Sequence, residues 1–495
     1  MKKYKRLIID SIVLLIIFAI SIAFVVFGKF NWQSWAIFLI VSYFFNTVFI
    51  IFSITNNDNS IEKLSWLFFI IAIPYIGIIF YSLFRIRRES GLEIEVFEKE
   101  FKEFQINSFK LEKNNQENNL MKWQTNFVKR NFYDTNLTIF NNGYQAYEKL
   151  LEDIEKSKKY IHIQMYIIKE SEIYEKLKNA LFKKAKENVE VRMIIDKFGS
   201  WKIPIDEFKH LKENGIKLCF YNIPYYPYVR HTDNKRLHRK LFIIDGEVVH
   251  FGGLNISDEY FSLNKKYGYW ADSNFCAKGQ IVNDYQSVFL FDWYKQNKEK
   301  LNINDYVINN KKIQNSNCKI LTFEQGPTKN INFLEESINY WINNSFKKIK
   351  ITTPYFIPTN KVFNSLKNAL RRGVEIEIYI PGKPDKWFTY VATLFYSNEI
   401  TKYGAKVYKF NETFLHSKFG IFDNEFAYIG TNNLDMRSFF TNEESINLLF
   451  GKEVIDDLNK TLRKYKSLSN IHIYDDSRFK KIIKKFIFKL VAPLM

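Results

Sequence analysis

The chain has 495 residues, 46% hydrophobic and 18% aromatic, too many for one domain of ~100–200 residues and too apolar for a disordered or disulfide-stapled scaffold. Lys and Arg outnumber Asp and Glu 72 to 53, a formal charge of +19, which favours an anionic partner, either nucleic acid or a membrane surface, without choosing between them. Cys219, Cys276 and Cys318 lie far apart with no Cys-x-x-Cys spacing, so neither a disulfide framework nor a zinc site is signalled.

Three apolar stretches come first, at residues 7–27, 35–54 and 64–84. About 20 helical residues span ~30 Å of hydrocarbon, so each is long enough to cross a bilayer. Trp32, Trp35 and Trp66 lie near the stretch ends and Arg85, Arg87 and Arg88 follow the third, as at membrane interfaces. Residues 1–88 are therefore expected to form a multi-pass anchor. A cleaved signal peptide fits worse, because no small-residue cleavage site follows the first stretch and two more stretches come after it. Basic residues flank both ends of the anchor, which three full spans cannot place on one side, and Asp10 interrupts the first stretch. The number and orientation of spans stay open, and the rest of the chain is expected in the cytoplasm.

Residues 89–130 are charged and rich in Asn and Gln, and read as a connector with mixed helical character. Beyond them strand-like and helix-like stretches alternate, as in layered α/β domains. The sequence also repeats itself. A strand-like stretch at 160–168, the Lys176–Leu181 segment (KLKNAL) and a strand-like stretch at 189–195 recur at 349–357, Ser365–Leu370 (SLKNAL) and 374–380. An offset of roughly 180–190 residues is a domain, not a solenoid unit. We therefore expect two copies of one α/β domain, at 131–311 and 312–495. The charge divides into +6 through Arg88 and +13 beyond it, so the duplicated region is itself basic.

Each copy carries one histidine in the same setting. His238, Lys240 and Asp245 fit H-x-K-x(4)-D and are followed by Gly252, Gly253 and Asn255; His416, Lys418 and Asp423 fit it again, followed by Gly430 and Asn433. In an extended segment residues i and i+2 face the same side, so an imidazole and an ammonium can address one phosphate together. Leu241–Ile244 and Phe419–Phe422 would anchor the segment in the core. An Asp at its far end can orient an imidazole or a neighbouring polar group. A single such motif is as well explained by a solvated strand edge; two at matching places in a repeat are not.

These residues resemble the phospholipase D superfamily, whose members carry two HKD motifs, and more narrowly the bacterial cardiolipin synthases. The resemblance takes in the apolar N-terminal region with Trp66, Pro74, Gly77 and Tyr81, the run from Gly252 to Tyr260, the stretch Thr352-Thr-Pro-Tyr-Phe-Ile-Pro358, and Gly430-Thr-Asn-Asn-Leu-Asp-Met-Arg-Ser438 with Asn442 and Glu444. One departure stands at Trp270-Ala-Asp-Ser-Asn-Phe275, where the family usually has Trp-Arg-Asp-Thr-His.

The resemblance implies transmembrane helices followed by two tandem phospholipase D-like α/β domains, in a pseudo-two-fold arrangement around one shared active site. It implies a covalent mechanism without metal or other cofactor. One HKD histidine attacks the phosphorus of a phospholipid diester, the other handles the proton of the leaving and entering alcohols, and Lys240, Lys418, Asn255 and Asn433 steady the phosphoryl oxygens. Applied to cardiolipin synthesis, one phosphatidylglycerol donates its phosphatidyl group to another and glycerol leaves. The implied partners are phosphatidylglycerol and anionic membrane lipid, not nucleic acid, at the cell membrane. Readings to weigh against this are a phospholipase D or another head-group transferase with the same catalytic residues, an anchored HKD nuclease, and a non-catalytic lipid-binding scaffold. At the C-terminus, residues 478–490 put Lys480, Lys481, Lys484, Lys485 and Lys489 on one helical face and Ile482, Ile483, Phe486, Ile487 and Leu490 on the other. That pattern suits a helix on anionic lipid, or equally a final helix packed on the domain. His162, His210, His231, His250 and His472 lack the motif and are expected to be structural or surface residues.

Overall fold

The chain divides into two units, Met1–Arg85 and Ile86–Met495. The computed structural model describes residues 91–104, 118–223, 234–263, 268–307, 313, 315–329, 331–411 and 414–473, with a few positions among the first 90. In the first unit the buried Trp66 and Tyr81 rings meet edge to face at 5.4 Å. The expected spans lie mostly outside the described residues, and the expected helix at 478–490 lies wholly outside them. No helix among the described residues is long and apolar enough to cross a membrane.

In the second unit the connector supplies α1 (Gly91–Lys102) and α2 (Asn119–Val128), the latter capped by Asn118, which accepts the Met121 N–H. The first half then runs β1 (Tyr133–Phe140), α3 (Gly143–Lys156), β2 (Tyr160–Met165), α4 (Glu172–Lys186), β3 (Glu190–Asp196), α5 (Ile205–Glu213) and β4 (Lys217–Tyr221). It continues through β5 (Arg236–Leu237), β6 (Leu241–Ile244), β7 (Val248–Gly252), β8 (Trp270–Ala271), β9 (Asn274–Gly279) and α6 (Ile281–Asn297). The second half follows with β10 (Cys318–Gln325), α7 (Phe333–Asn343), β11 (Lys348–Thr352), α8 (Asn360–Arg371), β12 (Glu375–Ile380), α9 (Trp387–Thr401) and β13 (Lys406–Phe410). It ends with β14 (Phe414–Leu415), β15 (Phe419–Phe422), β16 (Phe426–Gly430), the short α10 (Met436–Phe440), β17 (Asn442–Phe450), α11 (Lys452–Ser467) and β18 (Ser469–Ile471).

The repeated sequence segments form the same elements for the same reasons. In α4 Ser171 accepts the Tyr174 N–H, acidic residues fill the first turn and lysines the last, and Ile173, Leu177 and Leu181 turn inward at helical spacing. In α8 Thr359 accepts the Val362 N–H, and Val362, Leu366 and Ala369 turn inward. Both helices cross over between parallel strands, β2 to β3 (Ile161 opposite Val191) and β11 to β12 (Ile349 opposite Ile376).

All the longer strands join one sheet. Outward from the central antiparallel pair β1–β10 (Tyr133 opposite Ile320), one direction reads β9, β7, β6, β2, β3, β4 and the other β17, β16, β15, β11, β12, β13, then β18. The two successions match strand for strand, so the sequence repeat becomes a pseudo-two-fold in space. Each half has its own apolar core, with Ile163, Leu177 and Met193 in one and Ile351, Leu366 and Ile378 in the other. A third core joins the halves, where Phe289 and Leu290 of α6 share a cluster with Leu458 and Leu462 of α11. Helix α6 is buried on every side from Ile281 to Trp293, as a helix at the centre of a molecule must be.

Candidate active site

Each HKD motif begins outside the sheet ladder and ends in a tight hairpin. Between β6 and β7, Asp245 (φ +52°) and Gly246 (φ +68°) are both left-handed; between β15 and β16, Asp423 (φ +53°) and Asn424 (φ +55°) repeat this. Both turns close on an i to i+3 hydrogen bond, Glu247 N–H to Ile244 and Glu425 N–H to Phe422. These are type I′ features, which suit Asp-Gly and Asp-Asn. The Asp245 carboxylate accepts the backbone N–H groups of Lys158, Lys159 and Tyr160 at 2.7, 2.8 and 2.9 Å. Asp423 accepts those of Phe346, Lys347 and Lys348 at 2.7, 2.8 and 2.7 Å. Of the two roles expected of these aspartates, orienting an imidazole or a neighbouring polar group, they take the second. They cap the starts of β2 and β11, because the hairpin carries them to the end of the strand remote from the histidine.

The imidazoles are oriented from the opposite half. Strand β5 runs parallel to the first two residues of β17, and β14 runs parallel to β8. The His238 N–H therefore donates to the Glu443 carbonyl at 3.0 Å, and the His416 N–H to the Ala271 carbonyl at 2.7 Å. One residue further on, Nδ1 of His238 lies 2.9 Å from both carboxylate oxygens of Glu444, and Nδ1 of His416 lies 2.6 Å from Asp272. Each imidazole of one half thus meets a buried carboxylate of the other. Glu444 also accepts the Thr431 hydroxyl at 2.6 Å and the Ser438 hydroxyl at 2.8 Å, which fix it in turn.

The residue between each His and Lys points elsewhere, as extended backbone requires. Arg239 pairs with Asp292 at 2.9 Å and with Glu443 of the other half at 3.3 Å; Ser417 bonds Ser273 and Tyr465. Lys240 and Lys418 return to the histidine side, where each ammonium donates to the carbonyl of its own motif's histidine. Tyr166 stands edge-on to His238 at 5.0 Å, while Trp270 and Tyr260 pack on His416 at 5.2 and 5.5 Å.

Enclosure dominates the electrostatics. Burial pushes His238 down to about 4 and His416 down to about 3, with Glu444 and Asp272 opposing it. Burial pushes Lys240 down to about 7 and Lys418 to about 8, and the neighbouring carboxylates oppose it. Against burial, His238 and Lys240 hold Glu444 down at about 2. Burial thus disfavours the cationic form of all four groups, and an entering anion would favour it.

Asn255 is buried, and its amide oxygen accepts the Ile167 N–H at 3.1 Å. The Asn433 amide donates to Asp435 at 3.2 Å, while its own oxygen, and both amide atoms of Asn432, are buried without a protein partner. Such orphaned buried groups mark polar binding capacity not used by the fold. The sequence motifs single out all six HKD residues and both asparagines, whereas Asp272 and Glu444 lie outside those motifs. Their signal was an acid followed by serine at matching places in the repeat, Asp272-Ser273 and Glu444-Ser445.

Of the other histidines, His162 is fully buried and stacks on Phe289 at 4.2 Å. His250 pairs with Asp153 at 2.8 Å, near the Cys276 thiol. His250, Asp153 and Cys276 are the only metal-ligand grouping among the described residues. The other oxygen of Asp153 already holds Lys149 at 2.8 Å, so the cluster is charge-balanced without an ion. The three cysteines are free thiols.

A family profile described as "Cardiolipin synthase, PLD-like domain" matches residues 150–293 and 339–466, and one described as "Phospholipase_D-nuclease N-terminal" matches residues 35–85. The cardiolipin synthase of Alkalihalophilus pseudofirmus is 32% identical over 424 residues, covering 83% of this chain and 84% of its own. Cardiolipin synthase 1 of Staphylococcus epidermidis is 30% identical over 485 residues, covering 93% and 98%. The chain belongs to the phospholipase D-like cardiolipin synthase family. The two matches to that family's profile enclose one histidine–carboxylate set each, with His238 and Asp272 in the first and His416 and Glu444 in the second. Among solved structures, the phosphatidylserine synthase of Haemophilus influenzae aligns with a TM-score of 0.60 at 15% identity over 76% of this chain and 100% of that one, a likeness of fold. The departure from the family's Trp-Arg-Asp-Thr-His leaves Asp272 in place, and Ala271 contributes only its carbonyl to the His416 segment.

Proposed function

We propose that this chain makes cardiolipin at a membrane, transferring a phosphatidyl group from one phosphatidylglycerol to another and releasing glycerol, at a single active site to which both halves contribute. The observation that carries this reading is the exchange of carboxylates, Glu444 to His238 and Asp272 to His416. With Nδ1–H donated to a carboxylate, each imidazole keeps Nε2 for chemistry.

One Nε2 attacks phosphorus, a nitrogen–phosphorus bond forms, and the bond to the glycerol oxygen breaks. The other imidazole, protonated, gives its proton to that oxygen. It then takes the proton of a primary hydroxyl on the second phosphatidylglycerol, whose oxygen attacks phosphorus and breaks the nitrogen–phosphorus bond. One phosphodiester forms for each one broken, so no nucleotide drives the exchange. Lys240 and Lys418 offset charge on the phosphoryl oxygens, with Asn255 and Asn433 beside them. Burial disfavours protonation of both imidazoles in the free site, and the entering phosphodiester anion raises proton affinity where the acid is needed. Holding the acceptor lipid in the same bilayer favours it over water.

The test is turnover in phosphatidylglycerol vesicles with a chelator present. Cardiolipin and free glycerol should appear in equal amounts, and His238→Ala or His416→Ala should lower the rate by at least about 10³-fold. Phosphatidic acid as the only lipid product would make the protein a phospholipase D, and a requirement for a nucleotide-linked donor would overturn the reaction.

A further inference from the structure

Tryptophan is rarely left in water without a use, and among the described residues only Trp201 and Trp387 are exposed, at 68% and 72%. Single exposed apolar residues are ordinary; the placement of these two is not. Trp201 lies on the loop after β3, and Trp387 opens α9 just after β12, the strand at the matching place in the other half. Phe198 and Ile205 accompany the first, 48% and 77% exposed, and Phe388 the second, 38% exposed.

Both loops are fastened to the walls of the active site. Gly199 leaves no room for a side chain against Tyr166, whose ring faces His238, and the Ser200 hydroxyl donates to the Tyr166 carbonyl at 3.3 Å. Arg236, two residues before His238, lies over the Phe198 ring at 4.4 Å. In the other half Asp385 accepts the Tyr355 hydroxyl and contributes to the electrostatics of Lys418. The two loops thus follow matching strands of the two halves, and each is tied to residues that pack around its own half's part of the site.

We propose that Trp201 and Trp387 are paired anchors that enter the interfacial layer of an anionic lipid bilayer and seat the active site against it. Indole rings with neighbouring ammonium groups suit that layer. Lys202 lies over Trp201 at 5.7 Å, and exposed Lys383 and Lys386 precede Trp387. Exposed indole tips flanked by lysines at both places suit an anionic bilayer better than an apolar groove on a protein. The inference rests on the lipid substrate proposed above and says where that lipid is met.

The test uses the full chain in phosphatidylglycerol proteoliposomes, carrying Cys219→Ser and one of Trp201→Cys, Trp387→Cys or Phe346→Cys, each labelled with a polarity-sensitive fluorophore. Phe346 is an equally exposed aromatic, 70%, before β11 at the strand end away from the site. Brominated lipid should quench probes at 201 and 387 several-fold more than at 346, and equally so when His238→Ala is added. No quenching at 201 and 387, or equal quenching at all three positions, overturns the proposal. Blue-shifted emission without quenching by brominated lipid also overturns it, because a second protein copy then covers the loops. Quenching needs no turnover, so absence of cardiolipin with quenching intact would reject the reaction and leave the docking surface standing.

Discussion

Burial and a carboxylate pull each site imidazole in opposite directions. Burial lowers the proton affinity of His238 and His416, and Glu444 and Asp272 partly restore it. Replacing Glu444 by Gln keeps the shape and removes that restoring charge, so the His238 pKa should fall further. We expect kcat to drop about 10²–10⁴-fold, in the range of one positioned acid–base group, and one limb of the pH profile of kcat/KM to move toward lower pH. The direction is the same for either role, but the limb differs. Movement of the acid limb assigns His238 as nucleophile, and movement of the alkaline limb as proton donor. Asp272→Asn should move the opposite limb, and movement of the same limb by both variants would reject the division of roles. His238 and His416 were legible because imidazole and ammonium at i and i+2 have a chemistry of their own. Glu444 and Asp272 were not, because a carboxylate acquires this function only by contact with an imidazole 206 or 144 positions away.

At the level of elements, the third member of each motif serves the hairpin. Asp245 and Asp423 gather three backbone N–H groups each at the entry to β2 and β11. These groups lie near the surface, so water can replace part of what an alanine removes. Asp245→Ala or Asp423→Ala should cost about 1–2 kcal/mol of stability, measured by denaturant unfolding, while activity per folded molecule falls far less than in the histidine variants. Loss of activity equal to that of His238→Ala in a fully folded variant would give the aspartate a chemical role after all. The elements themselves were largely readable, since the helices that contain KLKNAL and SLKNAL have their own capping residues, Ser171 and Thr359, and helical spacing. The extension of each histidine segment along a strand of the other half was not, because a two-residue strand such as β5 or β14 has no periodicity to read.

Across the whole molecule, the halves depend on each other twice, through the carboxylates and through the core they share. Leu458, Leu462, Phe289 and Leu290 are completely or almost completely buried in that core, and exposing such a face makes an aggregation-prone patch. With the division near residue 311 as we propose, a 1–311 fragment keeps His238 and Lys240 but lacks Glu444. It should be inactive and poorly soluble alone, and co-expression with 312–495 should restore turnover. Activity of the first fragment alone would contradict one site built from two halves.

By itself the sequence determined the duplication, the α/β layering, the histidine and lysine pairs and the basic surplus, since these follow from local periodicity, composition and residue chemistry. The tertiary structure decided which carboxylate serves which imidazole, what the HKD aspartates hold, and how the two outward tryptophans stand to the site. The carboxylate contacts join positions 75 to 206 residues apart, and the histidine segments rest on strands of two residues that acquire their conformation only from the partner strand beside them.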